Sequence, residues 1–252
     1  MKHKVLQFIL VIFFLTLFTG LVYANSNCSQ VFINLEKQEY IPIHDLVKRN
    51  DFETGRKLVD YYGILHQDFK ASLQRLYYDQ AWLDLGAGRA RAQLDYLNSF
   101  HDLAKAAQLT AVTYKSSRWF WRSTNQRKLK IIEGAFENFD VQSSTKYKLI
   151  TDVFGVVSYT LNLHRTLQNV FDLLEVNGEF YVHIPNYLLT IQTHSGNIDL
   201  KTLLSRVEGL LVEGQWGTLK ITKLKKDIRV PELELSFHSN AVPVNRIFRL
   251  VE

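Results

Sequence analysis

The stretch Trp82-Leu83-Asp84-Leu85-Gly86-Ala87-Gly88-Arg89-Ala90 decides the fold. Its first half is an apolar run typical of a buried strand, and Gly86 and Gly88 end that strand in a turn. Glycine lacks a Cβ, so both positions can adopt unusual backbone angles and let a bulky ligand approach the main chain. The third glycine of the dinucleotide pattern Gly-x-Gly-x-x-Gly is missing, because residue 91 is arginine. Asp84 places a carboxylate at the end of the strand, where it would repel a pyrophosphate and attract a cation.

Strand patterns and helix patterns alternate on both sides of this motif. Apolar residues recur every three or four positions in segments predicted to be helical: 53–78, 89–107, 166–174 and 200–211, with a short helix in 116–127. Apolar runs predict further strands at 109–113, 129–133, 148–153 and 179–184. Polar and apolar residues alternate at 217–224, 232–238 and 246–251, which indicates antiparallel strands. Strands separated by helices predict a three-layer α/β domain with a mostly parallel, seven-stranded sheet and an antiparallel C-terminal edge.

Two further motifs follow later strands of this pattern. Thr151-Asp152-Val153-Phe154-Gly155 follows the fourth parallel strand, and Leu173-Leu174-Glu175-Val176-Asn177-Gly178-Glu179-Phe180 leads into the fifth. Together with residues 82–90 they resemble the class I S-adenosylmethionine (SAM)-dependent methyltransferases, whose first motif is apolar-Asp-apolar-Gly-x-Gly. In the order of its elements the resemblance covers residues 53–251. It implies a Rossmann-like fold and SAM as the cofactor, whose sulfonium and ammonium groups suit a carboxylate at position 84.

The resemblance also implies a set of cofactor contacts at the carboxyl ends of the parallel strands. The implied cofactor-binding residues are Asp84, Gly86, Ala87, Gly88, Tyr114, Glu133, Ala135, Phe136 and Asp152. Two of them have plain structural alternatives: Asp84 as a cap of the following helix, and Asp152 as a solvated loop residue.

Adenine and ribose recognition depart from the family pattern. An acidic residue near Glu133 often contacts the adenine amino group in the family, but the residue after the next glycine is Ala135 instead of the frequent aspartate. Adenine contacts would therefore use the backbone of Ala135 or Phe136. The second strand has no carboxylate for the ribose hydroxyls, and Tyr114, which stands in its place, or Ser116 could offer a hydroxyl instead.

Methyl transfer requires mainly that a nucleophile be aligned with the methyl–sulfur bond and that water be excluded. A general base is needed only for an acceptor that is protonated at the working pH. Asp152 is the first candidate for this base, and His183 or His164 the second. The eight histidines show no metal-ligand spacing, so no metal site is expected. The acceptor, a small molecule or a protein, is not identified by the sequence.

Composition excludes several other classes of protein. The 252 residues are 46% hydrophobic and 22% charged, which is the ordinary range for a globular domain and excludes a disordered or fibrous chain. The net charge is +5 without a run of five like charges, so no nucleic-acid-binding tail is indicated. A single cysteine, Cys28, excludes a disulfide scaffold.

The first 24 residues have the pattern of a secretory signal peptide. Two lysines precede the apolar run 8–18, Gly20 interrupts it, and Ala24 offers a small residue for cleavage. Residues 25–52 would then be a lead-in and residues 53–252 the methyltransferase-like domain, exported to the periplasm or secreted. The alternative is an uncleaved anchor, because residues 5–22 are just long enough to span a bilayer. An exported domain would find little SAM, so the sequence leaves two functions open: a SAM-dependent methyltransferase, or a catalytically inactive binding or interaction module.

The export prediction can be tested by mass spectrometry of protein recovered from the producing cell. Because Gly20 breaks the apolar run and Ala24 ends the small-residue site, the mature chain should begin near Asn25. An intact N-terminus at Met1, recovered with the membrane fraction, would instead support the anchor.

Overall fold

The computed structural model describes residues 31–34, 39–42, 55–113, 128–139, 141, 145–239 and 245–251. Within these residues the strands are β1 (Val31–Asn34), β2 (Glu39–Pro42), β3 (Ala81–Leu85), β4 (Gln108–Thr113), β5 (Leu129–Glu133), β6 (Tyr147–Val153), β7 (Leu174–His183), β8 (Leu189–Thr193), β9 (Gly196–Ile198), β10 (Leu210–Gln215), β11 (Thr218–Lys223), β12 (Leu233–His238) and β13 (Arg246–Leu250). The α-helices are α1 (Leu58–Ile64), α2 (Phe69–Gln74), α3 (Arg91–Asn98), α4 (Val156–Tyr159), α5 (Leu163–Leu173) and α6 (Leu200–Ser205). None of the helices in this part of the chain is long and apolar enough to cross a membrane.

The main sheet has seven strands in the order β10-β11-β7-β6-β3-β4-β5. Strands β3 to β7 are parallel to their neighbours among themselves, and β11 is antiparallel to both β7 and β10. The predicted α/β fold with a mostly parallel seven-stranded sheet is therefore confirmed. The one antiparallel strand lies second from the edge, because β10 returns to the direction of the parallel strands.

A second sheet takes up the last two predicted strands. It has the order β12-β13-β8-β9, and β13 runs parallel to β8. Alternation of polar and apolar residues marks a strand with one buried face, but it does not say which sheet the strand joins. Phe248 of β13 packs in the same apolar cluster as Leu83 of β3, so the second sheet covers one face of the first.

The central strand β3 is buried on both faces. Its side chains alternate, with Leu83 and Leu85 in the cluster that includes α5, and Trp82 in the cluster that includes α1, α2 and α3. Trp82 is fully buried and meets the rings of Tyr61 and Phe69 edge-on, at centroid distances of 6.5 and 6.2 Å. Burial of a large apolar side chain contributes about 1.5–3 kcal/mol to stability. Because β3 is covered on both faces, it is a central strand of the middle layer of a three-layer domain.

Three predicted helices are shorter in the structure. The described part of the segment 53–78 forms α1 and α2 with a break between them. Helix α3 ends at Asn98, ahead of a short 3-10 turn at Leu103–Lys105. Helix α6 ends at Ser205, and β10 begins at Leu210, although the apolar spacing predicts a helix to residue 211. Apolar spacing over such short runs does not distinguish the end of a helix from the start of a strand. The predicted helix in 116–127 lies outside the described residues.

Candidate functional site

The loops that follow β3 and β6 meet backbone to backbone at the carboxyl edge of the sheet. A Cβ added to Gly86 would lie 2.3 Å from the Cα of Gly155, and a Cβ added to Gly155 would lie 2.2 Å from the carbonyl oxygen of Leu85. Only a hydrogen atom fits on either side of this contact. From the sequence, the glycine at position 86 is explained by the approach of a ligand. The structure shows that the packing of the two loops is by itself sufficient to require glycine there.

The turn from β3 into α3 uses an uncommon backbone conformation. Gly86, Gly88 and Ala90 all have positive φ, of 69°, 54° and 45°. The Ala87 N–H donates to the carbonyl oxygen of Val112, 2.9 Å away, and so ties the turn to the neighbouring strand β4. A left-handed alanine costs about 1–2 kcal/mol, and such strain is concentrated at functional sites.

Asp152 organises the loop after β6. Its Oδ1 accepts from the Gly155 N–H at 2.6 Å and its Oδ2 from the Val157 N–H at 2.7 Å, so it satisfies two backbone donors at the start of α4. The side chain is fully buried, and burial raises its pKa to about 7. A general base must reach its substrate, and this enclosed carboxylate gives no support to the prediction that Asp152 is the base.

The other end of α4 is held by a buried cation. Arg246 of the second sheet donates from Nη1 to the Thr160 carbonyl at 2.6 Å and from Nη2 to the Val157 carbonyl at 3.0 Å. The guanidinium is fully buried and attracts the charge of Asp152, and burial lowers its pKa to about 9. Asp152 thus binds backbone N–H groups at the start of α4, and Arg246 binds backbone carbonyls of α4 and of the residue that follows it.

Asp84 lies inside the protein, beneath the glycine turn. Its Oδ2 accepts from the Tyr61 hydroxyl at 2.8 Å and its Oδ1 from the Thr151 hydroxyl at 2.7 Å. Burial raises its pKa to about 7. The carboxyl does not cap α3, whose N-cap is Ala90. Its predicted contact with a cofactor stays a prediction, and in this structure any effect on a ligand would act through space.

Arg56 is a residue that the sequence analysis missed. Its Nη1 donates to the Val153 carbonyl at 3.2 Å, and its guanidinium lies 4.9 Å from the centroid of the Phe154 ring. Its charge lowers the pKa of both Asp84 and His183, although burial is the larger effect on each. The sequence counted this segment only as part of a helical pattern. The structure places its cation over the carboxyl ends of β3 and β6.

His183 ends β7 beside the same loop. Its Nδ1 lies 2.6 Å from the Thr218 hydroxyl, which itself donates to the Ile64 carbonyl at 3.4 Å. We therefore assign the proton to Nδ1 and the lone pair to Nε2. Burial, and then the charge of Arg56, lower the pKa of the imidazole below its usual value, which favours the neutral ring at pH 7. The third candidate, His164, lies in α5 with its Nδ1 2.9 Å from the Pro231 carbonyl. Of the three predicted bases, His183 has the chemistry of a proton acceptor beside the loop after β6.

The residues predicted for adenine lie at the end of β5, which is Glu133, and directly after it. Glu133 is exposed, and Phe136 is a buried core residue. The Phe136 carbonyl already accepts from the Phe139 N–H at 3.0 Å and from Asn169 Nδ2 at 3.2 Å, so an adenine contact would use backbone N–H groups of Ala135 or Phe136. Tyr114, predicted for the ribose, lies outside the described residues.

Comparison with known proteins finds resemblance at the level of structure. No family model matches the chain, and no curated protein matches it. An rRNA methylase from Streptococcus thermophilus is 15% identical, with a TM-score of 0.41, over 64% of this chain and 96% of the other. The geranyl diphosphate C-methyltransferase from Streptomyces coelicolor A3(2), crystallised with S-adenosyl-L-homocysteine, is 14% identical, with a TM-score of 0.36, over 46% and 41%.

A third similar structure is a chain of the complex between the Haloferax volcanii Trm112 methyltransferase activator and a methyltransferase. It is 19% identical, with a TM-score of 0.36, and 47% of this chain is covered. This chain spans about half of its length, 51%. The strand order and strand directions of the sheet define the fold independently of these similarities.

The contact between the two loops makes a prediction about stability. Gly155→Ala should lower the free energy of unfolding by about 1–3 kcal/mol or more, because its Cβ would overlap the Leu85 carbonyl. Gly86→Ala should cost about 1–2 kcal/mol beyond such a clash, because its φ is positive. Urea unfolding of each variant measures both losses.

Gly63→Ala in α1 is the matched control. A Cβ at Gly63 meets nothing within 4 Å, and alanine is the better helix former, so the variant should be neutral or stabilised by up to about 1 kcal/mol. Equal stabilities of all three variants would show that the two loops do not pack as described.

Proposed function

We propose that the chain is a SAM-dependent methyltransferase that binds its cofactor across the loops following β3 and β6. The observation that carries the proposal is the strand order. From β3 the chain proceeds through β4 to β5 on one side, and it then crosses to β6 on the other side of β3. In open α/β sheets, ligands bind outside the carboxyl ends of the strands at such a switch point. The Gly86–Gly88 turn and the loop at Gly155 flank this point.

The residues present fit the amino acid portion of SAM. Arg56 holds a guanidinium at the switch point, where its positive charge can attract a carboxylate. Asp84 and Asp152 lie beneath the two loops and can favour the nearby cationic groups of SAM only through space, since both are enclosed. Tyr114 for the ribose, and the backbone N–H groups of Ala135 and Phe136 for adenine, complete the proposed site.

When bound, SAM would supply an electrophilic methyl group. The chain's own part is to hold the two reactants in line and exclude water. For an acceptor that carries a proton, His183 is the residue we propose as the base, because Nε2 has its lone pair available and the ring favours the neutral form. This choice replaces Asp152, whose oxygens are both engaged by backbone N–H groups.

We also propose that residues 1–24 direct the domain out of the cytoplasm, to the periplasm or the medium. This rests on the basic residues, apolar run and small residues of the sequence. The methyl acceptor, a small molecule or a protein, would then be encountered outside the producing cell's cytoplasm or in another compartment that contains SAM.

Calorimetric titration with SAM and with its demethylated product tests the proposal. Both ligands carry the carboxylate, so both should bind the wild type and bind Arg56→Met about tenfold or more weakly. A hydrogen bond to a charged group contributes about 1.5–3 kcal/mol, and ~1.4 kcal/mol is a factor of ten. Thermal melting of the variant verifies that it is folded.

Arg229→Met is the matched control, because Arg229 is exposed and lies far along the chain, after β11. It should bind as the wild type does. A folded wild-type protein that binds neither ligand would contradict the enzyme proposal and favour the catalytically inactive module.

A further inference from the structure

A separate cavity of about 300 Å³ opens beyond β7, between the turn that joins β10 to β11 and the start of α6. It lies at the carboxyl edge of the sheet, since β7 ends at His183 and the wall residue Ile184 follows directly. Small-molecule pockets begin at about this volume. None of the predicted site residues that the structure describes lines the cavity.

The floor of the cavity is apolar and its mouth is aromatic. Ile184, Leu200 and Leu219 line it and are almost fully buried, whereas Trp216 is 80% exposed. Trp216 has a φ of 55° in the β10–β11 turn, and the next residue, Gly217, accepts a hydrogen bond from the Ile184 N–H at 2.9 Å. A large aromatic ring that is left in solvent on an anchored turn is a preformed surface for stacking.

Two opposite charges stand at the start of α6. Lys201 Nζ donates to the Gly214 carbonyl at 2.7 Å, which uses one of its three N–H donors. Asp199 Oδ1 accepts from the Thr202 N–H at 2.8 Å, so this carboxylate is also fixed in position. Both residues line the cavity, and their charges cancel.

We propose that this cavity binds an uncharged aromatic molecule that carries a hydroxyl group, of the phenol class. The ring would stack on Trp216 and fill the apolar floor. A hydroxyl can donate to the Asp199 carboxylate and accept from the Lys201 ammonium, so it suits both charges at once. A ligand with net charge would be attracted by one of them and repelled by the other. The binding site stands on the cavity alone, and its use for a methyl acceptor rests on the proposed function.

The test is calorimetric titration of the full chain with 2-naphthol, and with naphthalene as the analogue that lacks the hydroxyl. The wild type should bind one molecule of 2-naphthol per chain, more tightly than naphthalene. Trp216→Ala should weaken 2-naphthol binding about threefold to tenfold, the range for losing one aromatic pair. Lys201→Met keeps the aliphatic stem and should reduce the preference for 2-naphthol over naphthalene.

Tyr77→Ala is the matched control, because Tyr77 is 65% exposed and lies just before β3, at the opposite edge of the sheet. It should bind 2-naphthol as the wild type does. No saturable binding of 2-naphthol, or binding that Trp216→Ala leaves unchanged, would overturn the inference. Titration of the same sample with SAM separates the claims: SAM binding without 2-naphthol binding leaves the proposed function standing, and the reverse leaves only the cavity.

Discussion

The contact between Gly86 and Gly155 is the constraint on which the site depends. Two strands that follow different crossovers end side by side, and their loops approach so closely that neither position has room for a Cβ. This approach fixes the direction in which both loops leave the sheet. It also places the positive-φ turn after β3 against the loop after β6. At this point the strand order changes direction, because β4 and β5 lie on one side of β3 and β6 lies on the other.

Three buried ionisable groups make hydrogen bonds around this contact. Asp152 engages the N–H groups at the start of α4, Arg246 engages carbonyls at its end, and Asp84 joins β3 to Tyr61 of α1. All three are fully buried, so each carries a desolvation cost that its hydrogen bonds must offset. Removing one partner would leave the others uncompensated. The second sheet is therefore connected to the site through Arg246, although none of the predicted site residues in the described part of the chain belongs to it.

The sequence predicted the centre of the fold because β3 is a continuous apolar run ended by a glycine turn. It did not predict the second sheet, since alternation at 232–238 and 246–251 specifies a buried face and not a partner strand. At the site it located Gly86, Asp152 and His183 correctly at strand ends, because parallel strands bring those ends to one edge. It could not predict that Gly86 serves a packing contact or that Arg56 returns to the same edge. Both depend on contacts between residues far apart in the chain.

The central claim is that the two loops form one cofactor site with Arg56 above it. The most direct measurement is a crystal structure of the purified chain with S-adenosyl-L-homocysteine. We expect the ligand to lie across the Gly86–Gly88 turn and the Gly155 loop, with its carboxylate within hydrogen-bond distance of the Arg56 guanidinium. Ligand density at any other surface, or a carboxylate directed away from Arg56, would contradict the account.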